Sequence, residues 1–397
     1  MKPYSDINIH HYFSSSVQKD KYLLSYNGQY YEASHAIVEL IEELQQHEEK
    51  EAAIRAYIQK KKGKYTQEQI QEVVVKSIDT IFRAIPKKRT FIYEKELFSA
   101  VTIDKFSDIF CFLFHKAYMA VILMGMLVLN VCFFLTTPDL LLFNGKVNIY
   151  MMAGLLVFMI TSSFFHELGH ASACKYFGVR HGGIGFGLYL NFPVLYTDVT
   201  EVWRLTRTQR CVVNIAGVYF QSYLLIALLL AFLVTKNDIL RYLILIMNLG
   251  FVVTLNPFFK FDGYWIASDL LGVPNLRQRS LELLVYLYRY VNRIQIDRKP
   301  YLLQIRPLEK YCLLIYSLAV NFFMGFYFCY VIPMFLYRFV RTFPDAVNEL
   351  ILYLSNRMAP PFALLRNISM QMLFFALIAY LFYRIINTFT KRYAKKI

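Results

Sequence analysis

Six stretches of this sequence are each long and apolar enough to cross the roughly 30 Å of hydrocarbon in a bilayer, and that constraint precedes every other. They fall at approximately 117–135, 147–171, 212–234, 241–259, 311–333 and 367–386. Backbone polar groups in lipid must be satisfied within their own segment, so these runs are expected as helices. With 57% of its 397 residues apolar and 18% charged, the chain cannot be disordered, collagenous or a disulfide scaffold. The expected fold class is an all-α polytopic membrane protein.

The formal net charge of +15 is unevenly placed. Residues 1–110 hold 16 basic and 16 acidic side chains, so the excess lies in the apolar remainder, where it speaks for a positive-inside bias and against nucleic-acid binding. With the amino terminus inside, the inner segments 172–210, 260–310 and 384–397 carry 19 basic residues and the outer segments 136–146, 235–241 and 334–366 carry 7. Both termini are therefore expected in the cytoplasm. The first twenty residues contain no apolar core of a signal peptide, in line with a cytoplasmic start. The outer stretch 339–356 has helical apolar spacing and suits either an interfacial helix or a capping loop. Six cysteines, Cys111, Cys132, Cys174, Cys211, Cys312 and Cys329, sit in or beside apolar runs without CxxC spacing and read as small buried hydrophobes.

Residues 1–95 form a distinct front end. KYLLSYNGQYYEASH (21–35) alternates around Asn27-Gly28 and predicts a β-hairpin. Ile37, Leu40, Ile41 and Leu44 then share one helical face, with Ser34 as the expected cap, and two more helices follow, the last opening at Thr66 and closing before Pro86. This is a small α+β cytoplasmic domain, marginal on its own at such a size. The remaining domains are expected as 96–146, a linker with the first span; 147–270, a three-helix core with a non-helical segment at 181–200; and 271–397, a cytoplasmic linker with two further spans and an outer interfacial segment.

Within the core, HGGIGFGLYLNFPVLYTDVT (181–200) is apolar, glycine-rich and not helical in pattern. Non-helical backbone at membrane depth must be shielded by protein or line a wet cavity, so a re-entrant β element is expected there. The backbone around Gly183, Gly185 and Gly187 is the candidate edge for pairing an extended peptide.

The chemistry concentrates at the end of the second run, TSSFFHELGHASACKYFG. In this HExxH pattern His166 and His170 stand at i and i+4 on one helix face, where two imidazoles can ligate one zinc, and Glu167 stands beside them as a base for a metal-activated water. Two imidazoles and a carboxylate buried in a span are costly unless a metal compensates them. The fourth run ends NLGFVVTLNPFFKFDGYW. Asn256-Pro257 breaks its helix, and Asp262 follows as the expected third ligand, leaving the fourth position to water. Tyr264 and Trp265 read as interface anchors, and His181 as a solvated loop histidine.

HELGH in an early span followed by LNPFFKFDGYW in a later one resembles the site-2 protease class of intramembrane zinc metalloproteases, and FDGYW resembles its bacterial peptide zinc metalloprotease branch. The resemblance covers roughly residues 147–270. It implies one Zn2+ held by His166, His170 and Asp262, catalysis by Glu167, and a core of three helices from the second, third and fourth runs. It also implies a multi-pass inner or cytoplasmic membrane protein of a bacterium acting on a peptide or transmembrane segment. In that class the middle helix carries a small-residue motif with an asparagine near the site. NIAG (214–217) is the nearest match here, although Val218 replaces the usual proline. Asn214 and Asn256 are the candidates for substrate or oxyanion support. The front end resembles, more loosely, the winged-helix peptide-recognition domains related to the PQQ-synthesis peptide chaperone. The implied partners are a leader peptide, membrane lipid, and a peptide-modifying enzyme or exporter. Two rival readings use the same cluster: a peptide exporter or transporter component, and a sensory membrane protein stapled by metal, with His181 or Asp269 as a fourth ligand.

Overall fold

Helices carry most of the chain in the computed structural model, which describes residues 4–11, 21–27, 29–83, 93–138, 140, 149–189, 192–273, 275–294, 300–305 and 307–393. The front end opens with β1 (Asn8–His11), β2 (Lys21–Tyr26) and β3 (Gln29–Ser34), an antiparallel sheet in that order. Tyr26 pairs with Gln29 and Asn27 takes a positive φ of 46°, as a tight two-residue turn requires. Gly28 and Pro86 lie outside the described residues. Strand β1 was not expected, because its four residues, NIHH, are too few and too polar to show alternation.

Helices α1 (His35–Gln46), α2 (Lys50–Lys60) and α3 (Gln67–Val73) follow, and a π-helical turn (Val74–Ile78) leads into α4 (Asp79–Arg83). Thr66 caps α3 in a reciprocal box with Gln69, whereas Ser34 stands at the start of α1 without a side-chain cap. Leu40, Ile41 and Leu44 of α1 are buried with Leu24, Ile54, Tyr57, Ile70 and Ile78, while Ile37 is only partly buried at the edge. The Tyr4 hydroxyl donates to Asp79 and Lys50 pairs with the other oxygen of that carboxylate, fastening the start of the chain to α2 and α4.

Beyond β4 (Glu94–Phe98) and α5 (Ala100–Phe110) come α6 (Lys116–Thr136), α7 (Ile149–Tyr176), β5 (Ile184–Tyr189), β6 (Phe192–Thr197), α8 (Arg207–Thr235), α9 (Asp238–Thr254), α10 (Asp262–Leu271), α11 (Leu276–Val291), α12 (Pro307–Phe326), α13 (Ile332–Ser355) and α14 (Phe362–Tyr393). Five helical segments are long and apolar enough to span a membrane: Lys116–Thr136, Met151–Tyr176, Arg207–Thr235, Pro307–Ser355 and Ala363–Tyr380. Two of the six expected runs differ. The fourth, expected at 241–259, is α9, whose 17 residues stop at Thr254. It covers about 26 Å at 1.5 Å per residue, because the break before Pro257 falls earlier than hydropathy alone indicates. The fifth does not end at 333 and does not leave 339–356 as a separate segment. Pro307–Ser355 is one helical run of 49 residues, passing through a π-helical turn at Tyr327–Val331. The wide turn lies just before Pro333, where a proline lacks its amide hydrogen and an ordinary α-turn would clash.

The chain divides into two compact units, residues 1–189 with 193–313, and residues 190–192 with 314–397. In the larger unit α8 packs against α6, α7, α9 and α10. In the smaller, α13 and α14 form a hairpin seamed by aromatic rings, with Phe335 and Phe374 at 4.3 Å between centroids and Phe339 stacked on Phe375 at 4.7 Å.

Candidate metal centre

The expected β element is present, but as three strands in the order β4-β5-β6. Strand β4, which precedes the first span, runs antiparallel to β5 and pairs Glu94 with Gly187 and Phe98 with Ile184. The edge expected to receive an extended peptide is thus already filled by the chain itself. A Cβ at Gly183 would strike Phe98 O and the Glu96 carboxylate, and one at Gly185 would strike the Tyr196 ring. These glycines serve close packing within the sheet. β4 escaped notice because EKELF carries three charges and no apolar alternation.

The structure brings His166, His170 and Asp262 together, with one ligand atom of each lying within 4.8 Å of the others. Two consecutive turns of α7 present the imidazoles, ring centroids 4.8 Å apart and planes at 75°. The carboxylate comes from the first residue of α10. Asn256 Oδ1 accepts from the Phe258 amide at 2.8 Å and turns the chain after α9. Gly263 then lies so close to the Leu255 backbone that any Cβ there would collide with it. The break at Asn256-Pro257 and the glycine after Asp262 together fold α10 back against the end of α9.

Hydrogen bonding fixes the tautomers. His170 Nδ1 lies 2.8 Å from Val213 O, a carbonyl that can only accept, so Nδ1 carries the proton. Gln221 donates its amide to Ser162 O and Oγ, which leaves its Oε1 to accept from His166 Nδ1 at 3.1 Å. With the rings neutral, both Nε2 atoms therefore present lone pairs. They stand 3.1 Å from each other, and 3.0 and 3.3 Å from Asp262 Oδ2. That oxygen is buried and receives no hydrogen bond. In that neutral state the three atoms are all acceptors and repel unless a cation sits between, so this donor set fits a metal ion of the kind that takes imidazole and carboxylate together.

Glu167 is buried beside the cluster, and its backbone carbonyl accepts from the Thr197 hydroxyl at the end of β6 at 3.3 Å. Gly217 of α8 faces the His166 ring so closely that a Cβ there would overlap it, and Gly169 of α7 meets Ala216 in the same way. These contacts let α7 and α8 approach at the level of the metal centre.

Several expected roles change. Asn214 Nδ2 donates one of its amide hydrogens to Asp269 at 2.9 Å, a partner the sequence does not indicate. His181 is not a solvated loop residue, since its side chain is 3% exposed and lies 3.6 Å from Asp104. Among the described residues neither His181 nor Asp269 joins the cluster. Tyr264 is buried and its hydroxyl accepts from the Arg277 amide, so it is not an exposed interface anchor, and Trp265 packs edge-on against Trp203. Ser162, Gln221 and Gly217 were missed. The signal was available for Ser162 and Gln221, because a polar side chain inside an apolar run usually faces a site or a partner.

No family model matches the chain, and no solved structure matches it. It is similar to a protein of Bacillus subtilis (strain 168) named "Putative peptide zinc metalloprotease protein YydH", at 29% identity over 140 residues. The aligned stretch takes in 30% of this chain and 55% of that protein, so the chain spans about half the length of the curated relative it matches.

Proposed function

We propose that the chain is an intramembrane zinc metalloendopeptidase that hydrolyses a peptide bond in a membrane-associated or ribosomally made peptide. His166, His170 and Asp262 hold the metal, and Glu167 is the general base. The carrying observation is the convergence on one point of two Nε2 atoms, each in a ring whose Nδ1 is already engaged, and a carboxylate oxygen, beside a second buried carboxylate. The similarity to a protein named for peptide zinc metalloprotease activity supports the same reading.

A bound zinc supplies Lewis acidity, polarising the scissile carbonyl and bringing the pKa of a water close to 7. Glu167 takes the proton released by that water and returns it to the leaving amine. Val213 O and Gln221 hold the two rings with Nε2 toward the metal, so the ligands do not have to reorient during turnover. A helical substrate ties each carbonyl to the amide four residues on, so the cleaved segment must be unwound before its carbonyl can be reached. A metal staple would be closed by four protein ligands; here the described residues offer three.

Under this reading the protein lies in a bacterial membrane with both termini cytoplasmic, and the front end presents the peptide. Tyr30 of β3 shares a cavity of about 280 Å³ with Arg180, His181, Gly182, Asp198, Thr200 and Glu201, which flank β5 and β6. The decisive test is Glu167→Gln. Bound zinc and the thermal transition should persist while hydrolysis falls by about 10² to 10⁴, and peptides trapped by the inactive protein, read by mass, identify the substrate. Unchanged turnover in that variant overturns the assignment.

A further inference from the structure

A second buried polar cluster lies two helical turns from the metal centre, on the same pair of helices. Asp262 and Asp269 are seven residues apart in α10, so they share one face about 10 Å apart along the axis. On α8 the facing residues Arg210, Asn214, Gly217 and Gln221 recur at spacings of four, three and four, forming one stripe. The far end of the stripe serves the metal centre: Gly217 seats the His166 ring and Gln221 orients it. Its near end holds Asp269, whose Oδ1 accepts from Arg210 Nε at 2.7 Å and whose Oδ2 accepts from Asn214 Nδ2 at 2.9 Å.

All three side chains of the cluster are buried. Arg210 also donates to Leu205 O and lies over the Trp203 ring. Arg207 donates to the carbonyls of Asp269 and Leu270 at 2.9 and 2.7 Å, capping the C-terminal end of α10. Gly272, at a φ of 63°, follows, and a Cβ there would strike the Arg207 guanidinium. A buried ion pair contributes little net stability compared with apolar groups of equal volume; what it can supply is a single register. Register is what the third ligand needs. Rotating α10 by 10° would carry a carboxylate 5–6 Å from the axis through about 1 Å, beyond the tolerance of a metal site.

We propose that Arg210, Asn214 and Asp269 are positioning residues, a clamp that sets the rotation and height of α10 on α8 and so holds the Asp262 carboxylate within reach of His166 and His170. The proposal rests on the metal-centre reading above and concerns how that ligand is held, so its test reads metal affinity and needs no substrate.

The experiment is a zinc titration by chelator competition on the full chain in detergent, with the thermal transition of the metal-free protein measured alongside. Asp269→Asn is expected to weaken zinc about 10- to 100-fold, and Asn214→Ala, which removes a single donor and leaves the ion pair to hold the fold, about 3- to 10-fold. In an Asp262→Ala background Asp269→Asn should cause no further loss, because the clamp acts only through that carboxylate. A lowered transition with unchanged zinc affinity, or an equal loss with and without Asp262, overturns the clamp while leaving the metal centre intact. If the parent protein binds no zinc, or binds it equally well after Asp262→Ala, the metal-centre reading fails and the clamp with it.

Discussion

Helix α8 and the α13–α14 hairpin are both apolar, yet they are held by different means. Within the most hydrophobic stretch of each segment, 44% of α8 is buried by protein, against 11% for Ala363–Tyr380 of α14. Lipid is as apolar as leucine, so burial of apolar surface does not drive helices together in a membrane. α8 is located by contacts lipid cannot imitate: Asn214 and Arg210 on Asp269, Gln221 on His166, Ala216 against Gly169, and Gly217 against the imidazole. The hairpin relies on ring contacts, edge-to-face between Phe335 and Phe374 and stacked between Phe339 and Phe375, which lipid chains can partly replace. The difference teaches where this chain requires one geometry and where it tolerates many.

Four measurements would break or sharpen that contrast. The largest effect is expected from His170→Ala: with one of three ligands gone, zinc affinity should fall on the order of 10³-fold, and retention of one equivalent of tightly bound zinc would refute the site. Next comes Gly217→Ala, which forces a methyl into the His166 ring and should cost about 1–3 kcal/mol, seen as weaker zinc binding. A smaller change is expected in the hairpin, where Phe375→Ala removes its stacking on Phe339, a pair worth about 0.5–1.5 kcal/mol. The thermal transition should drop slightly with zinc affinity unmoved, and a zinc effect there would erase the contrast.

The smallest effect concerns pH outside the spans. The hydrogen bond from Lys175 holds the Asp104 carboxyl below its ordinary range, against the opposing effect of partial burial. A depressed folded pKa stabilises above the unfolded value, so this contribution is present above about pH 4 and is lost as pH falls through the folded pKa. Asp104 is about half exposed, so screening limits the gain to under about 1 kcal/mol. Asp104→Asn should flatten the acid limb of the stability curve by that amount, as followed by thermal melts from pH 5 downward.

How much was legible depends on the range over which each signal is written. His166, Glu167 and His170 share one helical turn and a half, so their common face follows from helix geometry alone. The helix break before Asp262 is equally local, because Pro257 lacks the amide hydrogen that a continuing helix needs. Asn214 shows the limit. Its presence in an apolar run marks it as engaged, but only the position of α10 shows that Asp269 is a partner. The sheet shows the same limit: β4 lies far from β5 in sequence and has no apolar alternation, so nothing local discloses that the two pair. The merging of 311–333 with 339–356 was hidden because Arg338, Arg341 and Asp345 lower hydropathy without interrupting the helix.

Periodicity and hydropathy by themselves determined that the chain is helical, that several helices are long enough for a bilayer, and that two imidazoles and a carboxylate share a turn. Only tertiary structure decided that Asp262 completes the set, that β4 fills the edge of β5, and that Arg210 and Asn214 hold Asp269. The reason is physical: a helix face and a proline break are properties of neighbouring residues. An ion pair across 59 residues or a carboxylate meeting two histidines depends on how separate helices come to rest against one another.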